Sequence, residues 1–567
     1  GQGMKNTTNS SYFKGSETPA LIDETIGQRL AKTVEKFPQR DALIVRHQDI
    51  HWTYTEYAEQ IEKLATGLLA LGIEPGERVG IWAPNCYEWC VTQFATARIG
   101  AILVNVNPAY RVFELEYALN KSGCKAIITA ESFKSSRYVE MLQELAPELA
   151  HCEPGRLESK TLPHLETVIR MGDVKTPGML NYTDVRELGG ETEKAKLAEV
   201  EAGLSPRDVI NIQFTSGTTG APKGAALTHH NILNNGNQVA RGMRFSEQDR
   251  LVIPVPMYHC FGMVLGKLAC ISTGAAAIFP GDAFDPIQVL EAVQAERATA
   301  LHGVPTMFIA ELEHPEFDRF DLSTLRTGIM AGAPCPVEVM KKVINRMNMA
   351  EVLIAYGQTE CSPVNHMTLA DDPIEKRVES VGHAVPHIEV KIIDEDGEIV
   401  PIGERGDICS RGYAVMEGYW GDPERTAETV DEDGWLHSGD LGVMDEEGYV
   451  QVVGRLKDMI IRGGENIYPR EIEEFLFTHP KIQDAKIIGV PDEKFGEEVC
   501  AWVQLKEGET LSEEEIRAFC KKNIAYFKVP RYVRLVKEFP MTVTGKIQKF
   551  KMREVMMQEL ESGAVFS

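Results

Sequence analysis

Thr215-Ser216-Gly217-Thr218-Thr219-Gly220-Ala221-Pro222-Lys223-Gly224 packs three glycines, four hydroxyl residues, a proline and one lysine into ten positions. Upstream, Val209-Ile210-Asn211-Ile212-Gln213-Phe214 reads as a short buried strand, and downstream Thr228 is placed to cap a helix that starts at His229. A glycine- and hydroxyl-rich loop leaving a strand suits phosphate: glycines let backbone N–H groups approach closely, hydroxyls donate, and Lys223 supplies charge. It is not a Walker loop, because Pro222 stands where the second glycine should be and Gly224 follows the lysine. The bland alternative is a surface loop.

The chain around this stretch has 567 residues, too many for one core, so at least two domains are expected. Its 59 basic and 84 acidic residues give a net charge of −25, which argues against general nucleic-acid binding and against an anionic membrane surface. The eleven cysteines are scattered, with no Cys-x-x-Cys, and read as reduced thiols of a cytoplasmic protein. Cys260, Cys335 and Cys361 sit beside motifs but read as small apolar fillers. The most apolar window, Gly262 to Phe279, contains Lys267 and reads as a buried helix and strand, not a membrane span.

Thr53-Tyr54-Thr55-Glu56 fits a capping box, and Tyr57, Ile61, Leu64, Leu68 and Leu71 then mark one helical face closed by Gly72. Arg78 to Trp82, Ala101 to Val106 and Ala126 to Thr129 are strands alternating with helices, the pattern of a parallel sheet covered on both faces. Residues 153–196 read as surface loops and a hairpin. From about Phe279 to Gly454, shorter alternating strands predict a distorted β-barrel. After Arg455 the chain reads as a small domain: helix Pro469 to Phe477, strands Ala485 to Val490 and Glu498 to Leu505, helix Ser512 to Lys522, then a basic tail. Lys521 to Arg553 holds ten Lys/Arg and one acidic residue, Glu538.

Further motifs follow the phosphate-type loop. Pro256-Met257-Tyr258-His259-Cys260-Phe261-Gly262 and Leu301-His302-Gly303-Val304-Pro305 fall at strand ends, where open α/β sheets bind ligands. Ala331-Gly332-Ala333-Pro334 is a turn that could lie flat on a purine. Tyr356-Gly357-Gln358-Thr359-Glu360 groups an aromatic, a glycine, a hydroxyl and a carboxylate. Asp440 closes Trp435-Leu436-His437-Ser438-Gly439-Asp440, where it caps a turn or accepts from a diol. Arg455 to Pro469 is a charged linker with Gly463-Gly464, and Lys546 follows Thr542-Val543-Thr544-Gly545 inside the basic tail.

In this order the motifs resemble those of the adenylate-forming (AMP-binding) superfamily of acyl-CoA synthetases, peptide-synthetase adenylation domains and firefly-type luciferases. The wording of Arg462 to Pro469 is most similar to the fatty and medium-chain acyl-CoA synthetases. The resemblance spans essentially the whole chain and implies an α/β fold. Its large N-terminal domain, residues 4–455, would hold two α/β sheet subdomains and a distorted β-barrel. Residues 456–458 would be a hinge, with Lys457 the hinge residue, and 459–567 a mobile α+β domain carrying the catalytic lysine. The resemblance assigns Thr215, Ser216, Gly217, Thr218, Thr219, Gly220 and Lys223 to phosphate. It assigns Gly332, Ala333 and Tyr356 to adenine, Pro334, Gly357 and Gln358 to ATP or AMP more generally, Thr359 to the α-phosphate, and Asp440 and Arg455 to ribose. Glu360 would bind Mg²⁺, Gly463 and Gly464 the pantetheine arm of CoA, and His259, Phe261, Gly262, Val304 and Met307 the acyl group. Lys546, Glu360, Thr215 and Lys223 would carry the chemistry.

The implied reaction joins a carboxylate to ATP, giving acyl-AMP and pyrophosphate, and then passes the acyl group to CoA. No nucleic-acid partner and no transmembrane segment are expected, and a homodimer is compatible with the resemblance. The apolar pocket neighbours, with no evident second cation, predict a medium- to long-chain monocarboxylic acid. The competing expectation is an aryl or other acid with a different acceptor, a carrier protein or a luciferase-like oxygenation.

Overall fold

The computed structural model describes residues 9–215, 222–332, 335–455, 458–463, 465–524 and 526–563. Two large mixed sheets form the body. The first runs Gly418–Tyr419, Lys223–Thr228, Val209–Thr215, Ile102–Asn105, Arg78–Trp82, Cys124–Thr129, Thr167–Arg170, Leu180–Asn181. Its strands from Val209–Thr215 to Leu180–Asn181 pair in parallel, and Lys223–Thr228 adds antiparallel. The second runs His383–Ala384, Val364–Met367, Glu351–Gly357, Thr327–Met330, Ala300–Leu301, Arg250–Val252, Ala276–Phe279, Asp41–Val45, Ile50–Thr53. Its middle is parallel and both ends turn antiparallel. The parallel strands are buried along nearly their whole length, as helices on both faces require.

The helices follow from the caps read in the sequence. Thr53 caps Tyr54–Ala70 with a capping box to Glu56, and Tyr57, Ile61, Leu64 and Leu68 are buried on one face. Thr228 caps His229–Gly242, reciprocally with Asn231. Between the two sheets, Phe261–Leu268 winds as a π-helix and continues as α-helix to Thr273. The expected buried helix and strand are there, but the wide turn is not legible in periodicity.

Two expectations need correcting. The parallel α/β pattern runs on to Glu351–Gly357, well past Phe279. And residues 153–196 hold no hairpin: Thr167–Arg170 and Leu180–Asn181 pair in parallel, with helices Tyr182–Val185 and Glu191–Ala202 beyond. The polar composition there reflects one exposed edge, not missing structure. The expected barrel is a curled five-stranded antiparallel sheet: Tyr12–Lys14, Ile388–Ile393, Arg405–Gly412, Leu436–Met444, Val450–Arg455. Register shifts after Asp407 and Leu441 bend it.

Beyond Asp458 the chain forms a separate core of Ile460, Ile472, Leu476, Ile487, Val499, Ala501, Ile516 and Val533. Strands Ile482–Asp492, Gly496–Leu505 and Tyr532–Leu535 make its sheet, flanked by helices Pro469–Phe477 and Glu513–Asn523. This unit rests on the large domain. Arg470 donates to the Val452 carbonyl at 2.7 Å, and Arg405 lies over the Tyr468 ring at 4.5 Å. A cavity of about 270 Å³ remains between Ile309, Leu312 and Val339 on one side and Phe477, His479 and Ile482 on the other. Among the described residues no helix is long and apolar enough to cross a membrane.

Candidate active site

The strands that bracket the phosphate-type loop pair antiparallel with Thr215 opposite Lys223, and the Thr215 hydroxyl reaches the Lys223 carbonyl at 3.4 Å. Ser216, Gly217, Thr218, Thr219 and Gly220 lie outside the described residues, as do Ala333, Pro334, Lys457 and Gly464 and the side chain of Arg455. The edge strand Gly418–Tyr419 pairs with Lys223–Thr228 and brings in a residue that the motifs did not name. Tyr419 lies 5.5 Å below the Lys223 ammonium, measured to the ring centroid, and its hydroxyl donates to Glu360 Oε2 at 2.6 Å. Burial, with the Glu360 charge second, pushes the Tyr419 phenol far up, so it remains a donor. Lys223, Tyr419 and Glu360 are thus one connected group.

Glu360 sits in the turn Thr359–Cys361, just past the strand end Tyr356-Gly357, with Gln358 leading in. Its backbone carbonyl accepts from Met416 N–H at 2.9 Å. With one carboxylate oxygen on Tyr419, the other has no partner among the described residues. A hard oxygen donor held beside a phosphate-type loop fits a Mg²⁺ ligand.

Tyr356 donates a short hydrogen bond to Asp440 Oδ2 and meets the His366 ring edge-on at 5.5 Å. Asp440 pairs with Arg455 across adjacent antiparallel strands. The motifs at 356–360, 440 and 455 therefore converge, although 84 residues separate the Tyr356 and Asp440 that bond.

Lys546 reaches this cleft from the small domain. Its carbonyl accepts from Thr542 N–H at 2.8 Å and its N–H donates to Thr542 Oγ1 at 3.2 Å, closing a tight turn. Gly545 makes that turn with φ +84°, in the region that favours glycine. A Cβ at Gly545 would stand 2.8 Å from Val304 Cγ2, and one at Gly332 would stand 3.1 Å from Val304 Cγ1 and 3.9 Å from Lys546 Cε. The Lys546 loop is therefore seated against Val304, Met307 and Gly332.

His259 is half-buried beside it. Its Nδ1 accepts from Phe261 N–H at 3.1 Å. Burial, with the Lys546 charge second, pushes its imidazole down to about 3, so it is neutral near pH 7. That agrees with a wall and not with a general base. Gly262 has no room for a side chain: a Cβ would lie 2.4 Å from the Pro256 carbonyl oxygen. Phe261 packs on His302, ring centroids 5.3 Å apart. Val304 and Met307, expected along the acyl pocket, also touch the Lys546 turn. Cys260, Cys335 and Cys361 are buried thiols pushed up to about 12 by burial, as fillers should be. Gly463 is elsewhere: its N–H donates to the Phe495 carbonyl at 2.9 Å, inside the small domain.

The match to known family models covers most of these elements. Residues 30–420 match the family model described as AMP-binding enzyme, and 471–546 match the AMP-binding enzyme C-terminal domain. The chain belongs to the AMP-binding enzymes. It is 51% identical over 535 residues to the "Putative acyl-CoA synthetase YngI" of Bacillus subtilis, covering 94% of this chain and 97% of that one. It is 45% identical over 556 residues to the human "Medium-chain acyl-CoA ligase ACSF2, mitochondrial", covering 97% and 90%. Among solved structures, an anthranilate CoA ligase, AuaEII, in complex with anthranoyl-AMP superposes with TM-score 0.84 at 25% identity, covering 97% of this chain and all of that one. A Mycobacterium tuberculosis fatty acyl CoA synthetase superposes at 0.66 with 28% identity, covering 94% and 98%. The family match and these relatives make the chain an AMP-forming acid–thiol ligase.

Proposed function

We propose that this AMP-binding enzyme is an AMP-forming acyl-CoA synthetase acting on a medium- to long-chain monocarboxylic acid. The observation that carries the reading is the seating of the Lys546 turn, from the small domain, against Val304 and Gly332 of the large domain, where the Lys546 charge acts on His259. A carboxylate is a poor acyl donor until its oxygen becomes part of a good leaving group. Its attack on the α-phosphorus of ATP expels pyrophosphate and leaves acyl-AMP; the CoA thiol then attacks the acyl carbon and AMP departs.

The first step brings two anions together. Lys223, Thr215 and the 216–220 donors hold the phosphates, and Lys546 offsets the charge developing between carboxylate and α-phosphate. Mg²⁺, when held by Glu360, adds charge neutralisation at the same phosphates. Gly332, Ala333 and Tyr356 receive adenine, with Pro334, Gly357 and Gln358 lining the same nucleotide site, Thr359 the α-phosphate, and Asp440 with Arg455 the ribose. His259, Phe261, Gly262, Val304 and Met307 line the start of the acyl path. For the second step the small domain, residues 459–567, swings about Lys457 in the hinge 456–458, withdrawing Lys546 and presenting Gly463 and Gly464 to pantetheine. Thiols that are all free suit a reducing compartment, and we assign the enzyme to the cytoplasm.

The wall element Phe261–Leu268 is apolar except Lys267, whose ammonium is enclosed by the Tyr57 and Phe94 rings at 4.4 and 5.6 Å. An aliphatic chain along it stabilises binding by about 0.8 kcal/mol per CH₂, roughly fourfold per carbon. Pyrophosphate release and acyl-CoA formation, measured with acids from acetate to palmitate, test the reading. kcat/KM should climb with chain length until the pocket is full, with product dependent on CoA. An optimum at acetate, or at an aryl or dicarboxylic acid, would overturn the substrate while leaving the adenylation chemistry standing.

A further inference from the structure

Behind the ribose-side strand, three ligand-type side chains converge on the curled sheet. Asp407 and Cys409 share one face of strand Arg405–Gly412, and Cys409 is paired directly with His437 on Leu436–Met444. His437 Nδ1 is 3.5 Å from Cys409 Sγ and 3.6 Å from Asp407 Oδ2, and Sγ is 3.9 Å from the same Oδ2. The three atoms form a compact triangle.

Their orientations are fixed from outside. His437 Nε2 is 3.0 Å from Asp431 Oδ2, which holds the ring proton there and leaves Nδ1 as a lone pair aimed into the triangle. Asp407 Oδ1 accepts from Gly439 N–H at 3.0 Å and faces the Ser438 hydroxyl at 3.4 Å, leaving Oδ2 for the triangle. A neutral imidazole nitrogen, a carboxylate oxygen and a sulfur facing one another need a proton or a cation between them. The thiol supplies one proton; a cation serves all three.

Bonds of about 2.3 Å to sulfur and 2.0–2.1 Å to nitrogen or oxygen give tetrahedral edges of about 3.3–3.6 Å. The observed edges of 3.5, 3.6 and 3.9 Å need only a contraction of a few tenths of an ångström. We propose that Asp407, Cys409 and His437 form a zinc site, with water in the fourth position. On binding, the Cys409 thiol loses its proton to solvent as the Zn–S bond forms, and no redox change is involved. Cys409 is buried while Asp407 and His437 are half-buried, which leaves the open position on the solvent side. The ion would tie strand Arg405–Gly412 to strand Leu436–Met444 at His437 and so brace Asp440 three residues on.

The test uses the full chain, stripped with a chelator and titrated with Co²⁺ and Zn²⁺ in the absence of ATP. One equivalent of Co²⁺ should give thiolate-to-metal charge-transfer absorption, and Zn²⁺ should displace it. Cys409→Ala should abolish that absorption, Asp431→Asn should weaken binding roughly 10–100-fold, and Cys520→Ala should change neither. Cys409→Ser serves as well should the alanine variant fold poorly, and a Zn²⁺-dependent rise in the wild-type melting temperature, absent in Cys409→Ser, is the second readout. No charge-transfer band in the wild type, or a band that survives removal of Cys409, would overturn the site and leave a Cys–His–Asp hydrogen-bond network in its place.

Discussion

Two glycine-bearing turns of the small domain differ in what they touch. The turn that carries Lys546 leans on the large domain: Gly545 against Val304, and Lys546 close to Gly332. The turn at Gly463 leans on its own domain, with its N–H on the Phe495 carbonyl and the neighbouring Arg462 stacked over the Phe495 ring at 3.9 Å while pairing with Glu498 at 3.0 Å. One face is engaged with the cleft and the other stands back from it. The proposed two-step reaction would account for the asymmetry, because a lysine that helps form the adenylate would occupy ground that the thiol must later cross. That arrangement is the one the proposed first step requires.

The largest expected effect falls on the engaged face. Lys546→Ala should slow adenylate formation by about 10²–10³, the usual worth of a group acting on developing charge. CoA transfer from supplied acyl-AMP should be nearly unchanged. Isotope exchange between pyrophosphate and ATP, measured beside thioester formation from synthetic adenylate, separates the two; equal losses in both would erase the distinction between the faces.

A smaller effect is expected where the large domain is proposed to hold the phosphates. Tyr419→Phe removes the hydrogen bond to Glu360 and should raise the KM for Mg·ATP about tenfold, as the loss of a bond to a charged group implies. The adenylation step should suffer while transfer from supplied acyl-AMP does not. Steady-state kinetics over varied Mg·ATP decide it, and an unchanged KM would mean that Tyr419 only packs.

The last prediction concerns the stability, not the rate, of the scaffold that both faces share. Burial pushes His229 and His302 down to about 4 and His366 to about 3. Each is held neutral in the fold. Its contribution is complete above about pH 6.5 and is lost as the pH falls toward 4, by up to about 1.4 kcal/mol per pH unit per histidine. Urea unfolding at pH 7, 6 and 5 should show a falling midpoint, flattened in His302→Gln. A midpoint that does not move would mean that these rings are protonated inside the fold.

Much of this was legible from the sequence because it is local. The capping box at Thr53, the N-cap at Thr228 and the buried strand runs depend on neighbours a few residues away, and they fall where read. The roles beside them came from motif order. What escaped depends on distant pairing. Tyr419 joins Lys223 to Glu360 only because Gly418–Tyr419 docks on the edge of the first sheet, which nothing in the local pattern announces. The wide turn of Phe261–Leu268 escaped because a uniformly apolar run carries no period to reveal it. The parallel pairing of Leu180–Asn181 escaped for the same reason as Tyr419: partner choice is set by sheet order.

The central claim is that the small domain serves the two steps by different placements, and locking it tests that most directly. A Cβ at Gly545 would stand 2.8 Å from Val304 Cγ2, and disulfides join Cβ atoms about 3.5–4.5 Å apart. The double variant Gly545→Cys with Val304→Cys can therefore be oxidised to hold the Lys546 face in the cleft. The prediction is that the oxidised enzyme still forms acyl-AMP, fails to pass it to CoA, and recovers transfer on reduction. CoA transfer at the same rate in the oxidised and reduced forms would contradict the account.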